Sequence, residues 1–148
     1  MKSVTIPSTK DCPRFFPLIA WLDRLDVLLG EVKPIEQQKQ RFGNRAFKTW
    51  HAKMLEISIK HLKGMVPEAV QGAMIELLVY VSDSFGSVVR IDYGTGHELA
   101  FTTFLFCLRE LGLYSESDYR PLVHKVFYRY IALMRKLQLL YKLEPAGS

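Results

Sequence analysis

The sequence predicts an all-α fold, a single helical domain of about five helices. Three observations carry that reading. Apolar residues recur three and four positions apart through five long segments. Glycine, proline and asparagine fall between those segments, where helices start and stop. The short run Val79-Tyr80-Val81 could suggest a strand, but the helical period on either side outvotes it. A chain of 148 residues, 49% apolar and 24% charged, can bury one real core and has an ordinary globular composition.

Residues 1–14 are polar, hold two prolines and read as an arm in front of a domain spanning 15–148. The first helix is predicted over 16–29, with Leu18, Ile19, Leu22, Leu25, Leu28 and Leu29 on one stripe. Pro17 falls in its first turn, where a missing N–H costs nothing, and Gly30 suits its end. A polar linker over 31–43 contains Pro34. The second helix starts near Asn44, a good N-cap, and runs to about residue 63, burying Phe47, Trp50, Met54, Ile57 and Leu62. Gly64 and Pro67 separate it from a third helix over 67–84, marked by Ala69, Val70, Ala73, Met74, Leu77 and Leu78.

The fourth helix is predicted over 96–111. Thr95 and Glu98 have the spacing of a capping box in front of it. Its apolar residues, Leu99 to Leu108, face all sides, which predicts a central, fully buried helix stopped by Gly112. The fifth helix is predicted over 117–142, where Leu122, Val126, Tyr130, Met134, Leu137 and Tyr141 keep the helical spacing.

Bulk properties exclude several classes of function. The net charge of +5 and pI of about 9.2 are mildly basic, without the clustered excess of a nucleic-acid binder. Lys125, Arg129, Arg135, Lys136 and Lys142 are spread among apolar residues and read as a solvated face. The two cysteines, Cys12 and Cys107, form neither a disulfide framework nor a paired metal motif. There is no signal-like start and no apolar run of about 18 residues. A soluble protein of a reducing, intracellular compartment is expected, with no nucleic-acid or membrane partner.

One stretch stands apart, Arg90-Ile91-Asp92-Tyr93-Gly94-Thr95-Gly96-His97-Glu98. A helix N-terminus presents backbone N–H groups and a positive dipole end. Gly94 and Gly96 permit close approach to the backbone, Arg90 supplies a planar fork and Thr95 a hydroxyl. Together they suit a phosphate or other anion. The plainer alternative is that Thr95 and Glu98 cap, the glycines turn and Arg90 pairs with Asp92. No lysine follows Gly96 as a P-loop requires, and Phe101 stands where a zinc-binding His-Glu-x-x-His motif needs its second histidine. No catalytic triad or metal cluster stands out. His51, His61 and His124 read as surface or partly buried residues, and His97 as a neighbour of the cap. A second unusual stretch, Arg41 to Trp50, groups Phe42, Phe47 and Trp50 at a helix entrance. Such a cluster is either core or one wall of a peptide groove.

"RFGNRAFKTWHAKM", "RIDYGTGHELAFTTFLFCL" and "VFYRYIALMRKLQLLYKLEPAGS", in that order, resemble the phosphotyrosyl phosphatase activator family, over about 16–148. The resemblance implies part of an all-α fold with core, linker and lid. It implies an activator of serine/threonine protein phosphatase 2A, acting as a peptidyl-prolyl cis-trans isomerase on the phosphatase catalytic subunit. It also implies ATP and Mg, with Arg90, Thr95, Gly96 and Asp92 at the nucleotide site. Further implications are a proline-containing peptide in a nearby groove, a peptide-induced homodimer, and a cytoplasmic or nuclear location. No catalytic residue and no direct metal ligand carry over. Family members extend beyond this chain at both ends, so it reads as the middle half of the domain and as a partial, truncated form. The alternative functions are a non-catalytic binding module or chaperone for the phosphatase, and an inactive truncated isoform.

Overall fold

The computed structural model describes residues 16–36 and 43–146. The arm over 1–14 and part of the first linker, including Arg41 and Phe42, lie outside the described residues. Among the described residues, five α-helices make up the body: α1 (Phe16–Glu31), α2 (Ala46–Met65), α3 (Met74–Ser84), α4 (Thr95–Glu110) and α5 (Glu116–Tyr141). Two short parallel strands, β1 (Asp92–Tyr93) and β2 (Glu144–Pro145), pair beside them.

α1 buries Leu18, Trp21, Leu22, Leu25, Leu28 and Leu29, the apolar stripe of the sequence with Trp21 added and Ile19 only partly buried. Gly30 does not stop it. The Val32 N–H still reaches the Leu28 carbonyl at 3.1 Å, so the helical bonding pattern outlasts the glycine and Pro34 follows. α2 is entered through Asn44, whose Oδ1 accepts from the N–H of Ala46 at 3.0 Å and of Ile35 at 3.1 Å. Its Nδ2 returns a bond to the Ile35 carbonyl at 2.9 Å. One asparagine thus caps a helix and fixes the end of the preceding linker. Gly64 is likewise passed, and α2 ends at the extended Val66 before Pro67.

The predicted third helix is two pieces, a 3₁₀ segment Glu68–Ala73 and then α3. Val70 has φ −118° and ψ 17°, which breaks the α geometry, and the segment buries none of its side chains. Val79 to Val81 lie in α3 as predicted. α4 buries Phe101, Phe104, Leu105 and Leu108, but Leu99 is 67% exposed and Phe106 45%. It is therefore not the fully buried central helix that its composition predicts. It packs chiefly on α3 and on α5, and those two contacts cover one face only. Gly112, at φ +83°, closes it by returning its N–H to Arg109 while Leu113 returns to Leu108.

α5 begins with a true side-chain cap, the Ser115 Oγ accepting from the Asp118 N–H at 3.3 Å. It ends at Lys142, which takes the left-handed conformation at φ 51°. Two of the basic residues predicted to form a solvated face instead join helices. Arg129 bonds Asp23 at 2.8 Å and Asp26 at 2.7 Å on α1, and Lys136 bonds Asp26 at 3.0 Å.

The core is aromatic at its centre. Phe101 stacks flat on Tyr130 with ring centroids 3.9 Å apart, and Trp21, Phe85 and Phe104 surround the pair. Phe47, Trp50 and Tyr141 continue it. The Trp21 indole N–H donates to the buried Ser58 hydroxyl at 2.9 Å, so that polar end is satisfied. Among the described residues, no helix is long and apolar enough to cross a membrane.

Candidate functional site

The site lies where three distant segments meet. The first is the α2 entrance at Gly43 and Asn44, the second is residues 86–98, and the third is the chain after α5. Gly43 and Asn44 donate their N–H groups to the carbonyls of Lys142 and Tyr141, at 2.6 and 2.8 Å. The Glu144 N–H donates to Ile91 at 3.3 Å and the Ala146 N–H to Tyr93 at 2.8 Å, forming the β1–β2 pair. These strands are only two residues long, and no local pattern that short could have announced them.

Within the middle segment the backbone is tightly turned. The Ser87 N–H donates to the Asp92 carbonyl at 3.0 Å and the Ile91 N–H to the Ser87 carbonyl at 2.7 Å. Ile91 takes φ 52°. That is a costly conformation for a β-branched residue and holds only where its surroundings enforce it. A Cβ placed on Gly43 would sit 3.4 Å from the Ile91 side chain, so the two unusual stretches of the sequence touch here. Gly86 is required twice. Its φ is +97°, and a Cβ there would lie 2.9 Å from the Asp92 carbonyl oxygen.

The four predicted nucleotide residues divide into two pairs. Arg90 Nε donates to Asp92 Oδ2 at 2.9 Å, joining an exposed guanidinium to a buried carboxylate. Arg90 is 67% exposed, so its terminal nitrogens face solvent while Nε is held. Thr95 and Gly96 are exposed in the first turn of α4. The predicted capping box does not form. Gly94, extended at φ −163° and ψ −170°, is the N-cap, and no side chain caps the turn. The cause is the β1–β2 pairing, which holds residues 92–93 extended and starts the helix one residue early. Thr95 then stands inside the helix, out of register for capping.

The two glycines of the motif have different explanations. A Cβ on Gly94 would lie 2.8 Å from that of Ala146, so close packing against the end of the chain accounts for it. A Cβ on Gly96 would meet nothing within 4 Å, and its φ is not in the left-handed range. No internal contact requires that glycine.

Three side chains to which the sequence reading gave no place in the anion site hold it from below. The Tyr130 hydroxyl on α5 donates to the Ser84 carbonyl and lies 2.9 Å from the Tyr93 hydroxyl. Burial raises the pKa of both phenols, so both stay neutral. His97 donates from Nδ1 to the Asp83 carbonyl at 2.6 Å and stacks on Tyr93. Its Nε2 lies 3.9 Å from Asp92 Oδ1, a buried oxygen with no hydrogen bond. For Tyr130 the sequence offered only its place on the buried stripe of the fifth helix, and for Tyr93 and His97 only their place beside the α4 entrance.

The groove reading of Phe47 and Trp50 does not hold. Both are fully buried and pack on Phe85 and Tyr141, so they are core. Two surface cavities, of 330 and 670 Å³, lie along α5 and between α1 and α5, and neither is lined by a residue of the 90–98 stretch. Among the described residues, no group of three or more His, Cys, Asp or Glu side chains could hold a metal.

Known proteins share this sequence and fold. The profile of the phosphotyrosyl phosphate activator (PTPA) protein family matches residues 2–148. A probable serine/threonine-protein phosphatase 2A activator 1 from Dictyostelium discoideum is 37% identical over 131 residues, covering 88% of this chain and 40% of that protein. A serine/threonine-protein phosphatase 2A activator 2 from Cryptococcus neoformans is 44% identical over 135 residues, covering 89% and 34%. The crystal structure of the PP2A phosphatase activator Ypa1 PTPA1 superposes with a TM-score of 0.83 at 36% identity, over 100% of this chain and 45% of that one. The chain thus spans less than half the length of these relatives. With a matching fold over its whole length and a family profile over nearly all of it, the chain belongs to the phosphotyrosyl phosphate activator (PTPA) protein family.

Proposed function

We propose that this chain forms the central part of an activator of serine/threonine protein phosphatase 2A, and that residues 90–96 contribute an anion site for the phosphates of ATP. The observation that supports the activator reading most is the structural likeness, over the whole of this chain and 45% of the other, to a phosphatase activator at 36% identity. The site reading is supported by Gly96, a first-turn glycine with open space above it, and by the exposed Arg90 held on Asp92 two residues before the α4 N-cap. The donor set fits a polyphosphate: the Arg90 guanidinium, exposed although its Nε is held by Asp92, the Thr95 hydroxyl and the uncapped start of a 16-residue helix. ATP would supply the phosphate anion, and Mg would arrive with those phosphates. The phosphatase catalytic subunit would supply the remaining wall.

Within the family reading, the activity is peptidyl-prolyl cis-trans isomerisation on the catalytic subunit, with a peptide-induced dimer as one form of the complex. Isomerisation needs no nucleophile, because lowering a barrier of about 18–20 kcal/mol needs only reduced double-bond character in the amide. A second reading, a non-catalytic clasp or chaperone for the phosphatase, is favoured by one observation here. The aromatic residues that would have lined a prolyl groove, Phe47 and Trp50, are sealed in the core.

Titration of Mg-ATP into the chain mixed with the phosphatase catalytic subunit tests the site. Arg90→Ala is expected to weaken nucleotide binding at least about tenfold, the loss of one charge-assisted contact. Unchanged affinity in that variant would remove Arg90 from the site. Acceleration of cis-trans exchange in a prolyl peptide by the same mixture then separates the isomerase from the clasp.

A further inference from the structure

We propose that the outer face of α5 is a docking groove for an acidic amphipathic helix of a partner protein. Among the described residues, the 330 Å³ cavity on that face is lined from α5 alone. Val123, Phe127 and Ile131 form its floor at four-residue spacing, and His124, Tyr128 and Arg135 form its rim. The floor is half-buried and the rim exposed, Tyr128 to 78%. α5 thus carries two apolar stripes. Leu122, Val126, Tyr130, Leu133 and Leu137 enter the core, and the second stripe is left open beside them. The Phe127 ring packs on Phe101 and Tyr130 with centroids 6.4 and 5.8 Å apart, so the floor is fixed to the core. A surface preset in this way loses little freedom when it is covered.

Charge selects the occupant. No aspartate or glutamate occurs between Arg120 and Lys142. Arg129 and Lys136, on the side toward α1, are paired with Asp23 and Asp26. Arg135 on the rim and the exposed Arg120, one turn before His124, have no ion-pair partner among the described residues. An unpaired cation toward each end of an apolar groove favours a segment with acids at its ends and apolar residues between them. A second copy of the chain would set the same cations against each other across a two-fold axis, which opposes self-association on this face. A nucleic-acid backbone would leave the apolar floor unfilled.

The dimensions suit a helix. From Val123 to Arg135 the groove runs about 18 Å, the length of about three helical turns. An occupying helix would reach it with apolar residues three and four positions apart. No residue of the 90–98 stretch lines the groove, so this surface is separate from the anion site and does not depend on what Arg90 and Gly96 bind.

The test uses two fluorescent model helices of about 14 residues. One has leucine along one face and glutamate at both ends, and its twin has lysine in place of glutamate. Anisotropy with the full 148-residue chain should show a Kd of about 10 μM or below for the glutamate probe and at least about tenfold weaker binding of the lysine probe. Arg135→Glu should weaken the glutamate probe about tenfold and strengthen the lysine probe, a reversal that loss of fold cannot produce. Tyr128→Asp, at an exposed position, should weaken the glutamate probe about tenfold while Tm stays unchanged. Amide NMR shifts caused by the glutamate probe should centre on 123–135. Equal affinity for the two probes, or a glutamate probe indifferent to Arg135→Glu, overturns the proposal. So does a face that ignores the glutamate probe but holds vesicles containing phosphatidylserine or a single-stranded RNA. A dimer in solution that Tyr128→Asp dissolves would also overturn it, by giving the groove to a second copy of the chain.

Discussion

Gly86 and Gly96 stand ten residues apart, yet the structure assigns them opposite sensitivities to a single methyl group. Alanine at 86 must adopt φ +97°, and its Cβ would press on the Asp92 carbonyl oxygen at 2.9 Å and the Phe47 ring at 3.1 Å. The left-handed backbone costs about 1–3 kcal/mol and overpacking about 1–3 kcal/mol, so the total is about 2–6 kcal/mol. For a domain of this size each kcal/mol lowers Tm by about 2–4 °C, so Gly86→Ala should lower it by about 10 °C. Alanine at 96 meets nothing within 4 Å in ordinary helical geometry. It should leave Tm unchanged or raise it, since alanine is about 0.5–1 kcal/mol better than glycine inside a helix. Thermal melts followed by circular dichroism at 222 nm measure both. If Gly96→Ala is the more damaging, or the two variants melt within about 2 °C of each other, the account of the turn at 86–94 is wrong. If Gly96→Ala is stable but binds Mg-ATP more weakly beside the phosphatase, Gly96 is kept open for a ligand and not for the fold.

Three further outcomes follow from named contacts. Tyr130→Phe removes the donor to the Ser84 carbonyl and the partner of the Tyr93 hydroxyl. It should cost about 1–3 kcal/mol in denaturant unfolding, and a change below about 0.5 kcal/mol would show that the buried tyrosine pair is not a clamp. Arg129→Ala removes both bonds to α1, and after discounting for partial exposure should cost about 1–2 kcal/mol. Repeating the melt in about 1 M salt should narrow that difference, because the pair is only partly shielded from solvent. Burial lowers the pKa of His51 and His61 in the folded chain, so the unfolded chain binds more protons as the pH falls below about 6.5. Stability should fall through that window toward acid, and His51→Gln should flatten part of the fall. A pH–stability curve with the same slope in wild type and variant would contradict the burial of the His51 ring.

How much of this was legible depends on the range of the interaction. The stripe of α1 and the spacing of α5 are periodic over several turns, and the buried residues follow the pattern closely. The Asn44 cap was legible because an asparagine before an apolar helical run has a local use. Helix ends at Gly30 and Gly64 were misplaced because a glycine permits a stop without requiring one. Pro34 and Pro67 follow close behind. α4 misled for a different reason. Its composition is apolar all round, but burial is decided by how many neighbours arrive, and Leu99 and Phe106 receive too little cover. At the site, the Arg90–Asp92 pair was readable from its spacing. The capping box was not, because its register is set by the pairing of residues 144–146, about 50 residues away in sequence, through backbone bonds to Ile91 and Tyr93.

That long-range dependence shapes the site itself. The 90–98 stretch contains a strained Ile91, a buried carboxylate with one oxygen unsatisfied and an uncapped helix start. Each of these raises the free energy of the segment in isolation. What holds them is the chain after α5, where Lys142 turns the backbone at φ 51° so that residues 144–146 run beside β1. The same turn presents the Lys142 and Tyr141 carbonyls to Gly43 and Asn44. Residues 142–146 are therefore a strap that couples the α2 entrance to the α4 entrance. Loosening the strap should release Ile91 to ordinary backbone angles and separate Arg90 from the helix start. Lys142→Pro, which forbids the positive φ, should abolish protection of the Gly43, Asn44 and Ala146 amides in hydrogen exchange while sparing those in the middle of α5. If the 43–44 amides stay protected in that variant, the α2 entrance is held by its own cap alone, and the site is built from one motif instead of two.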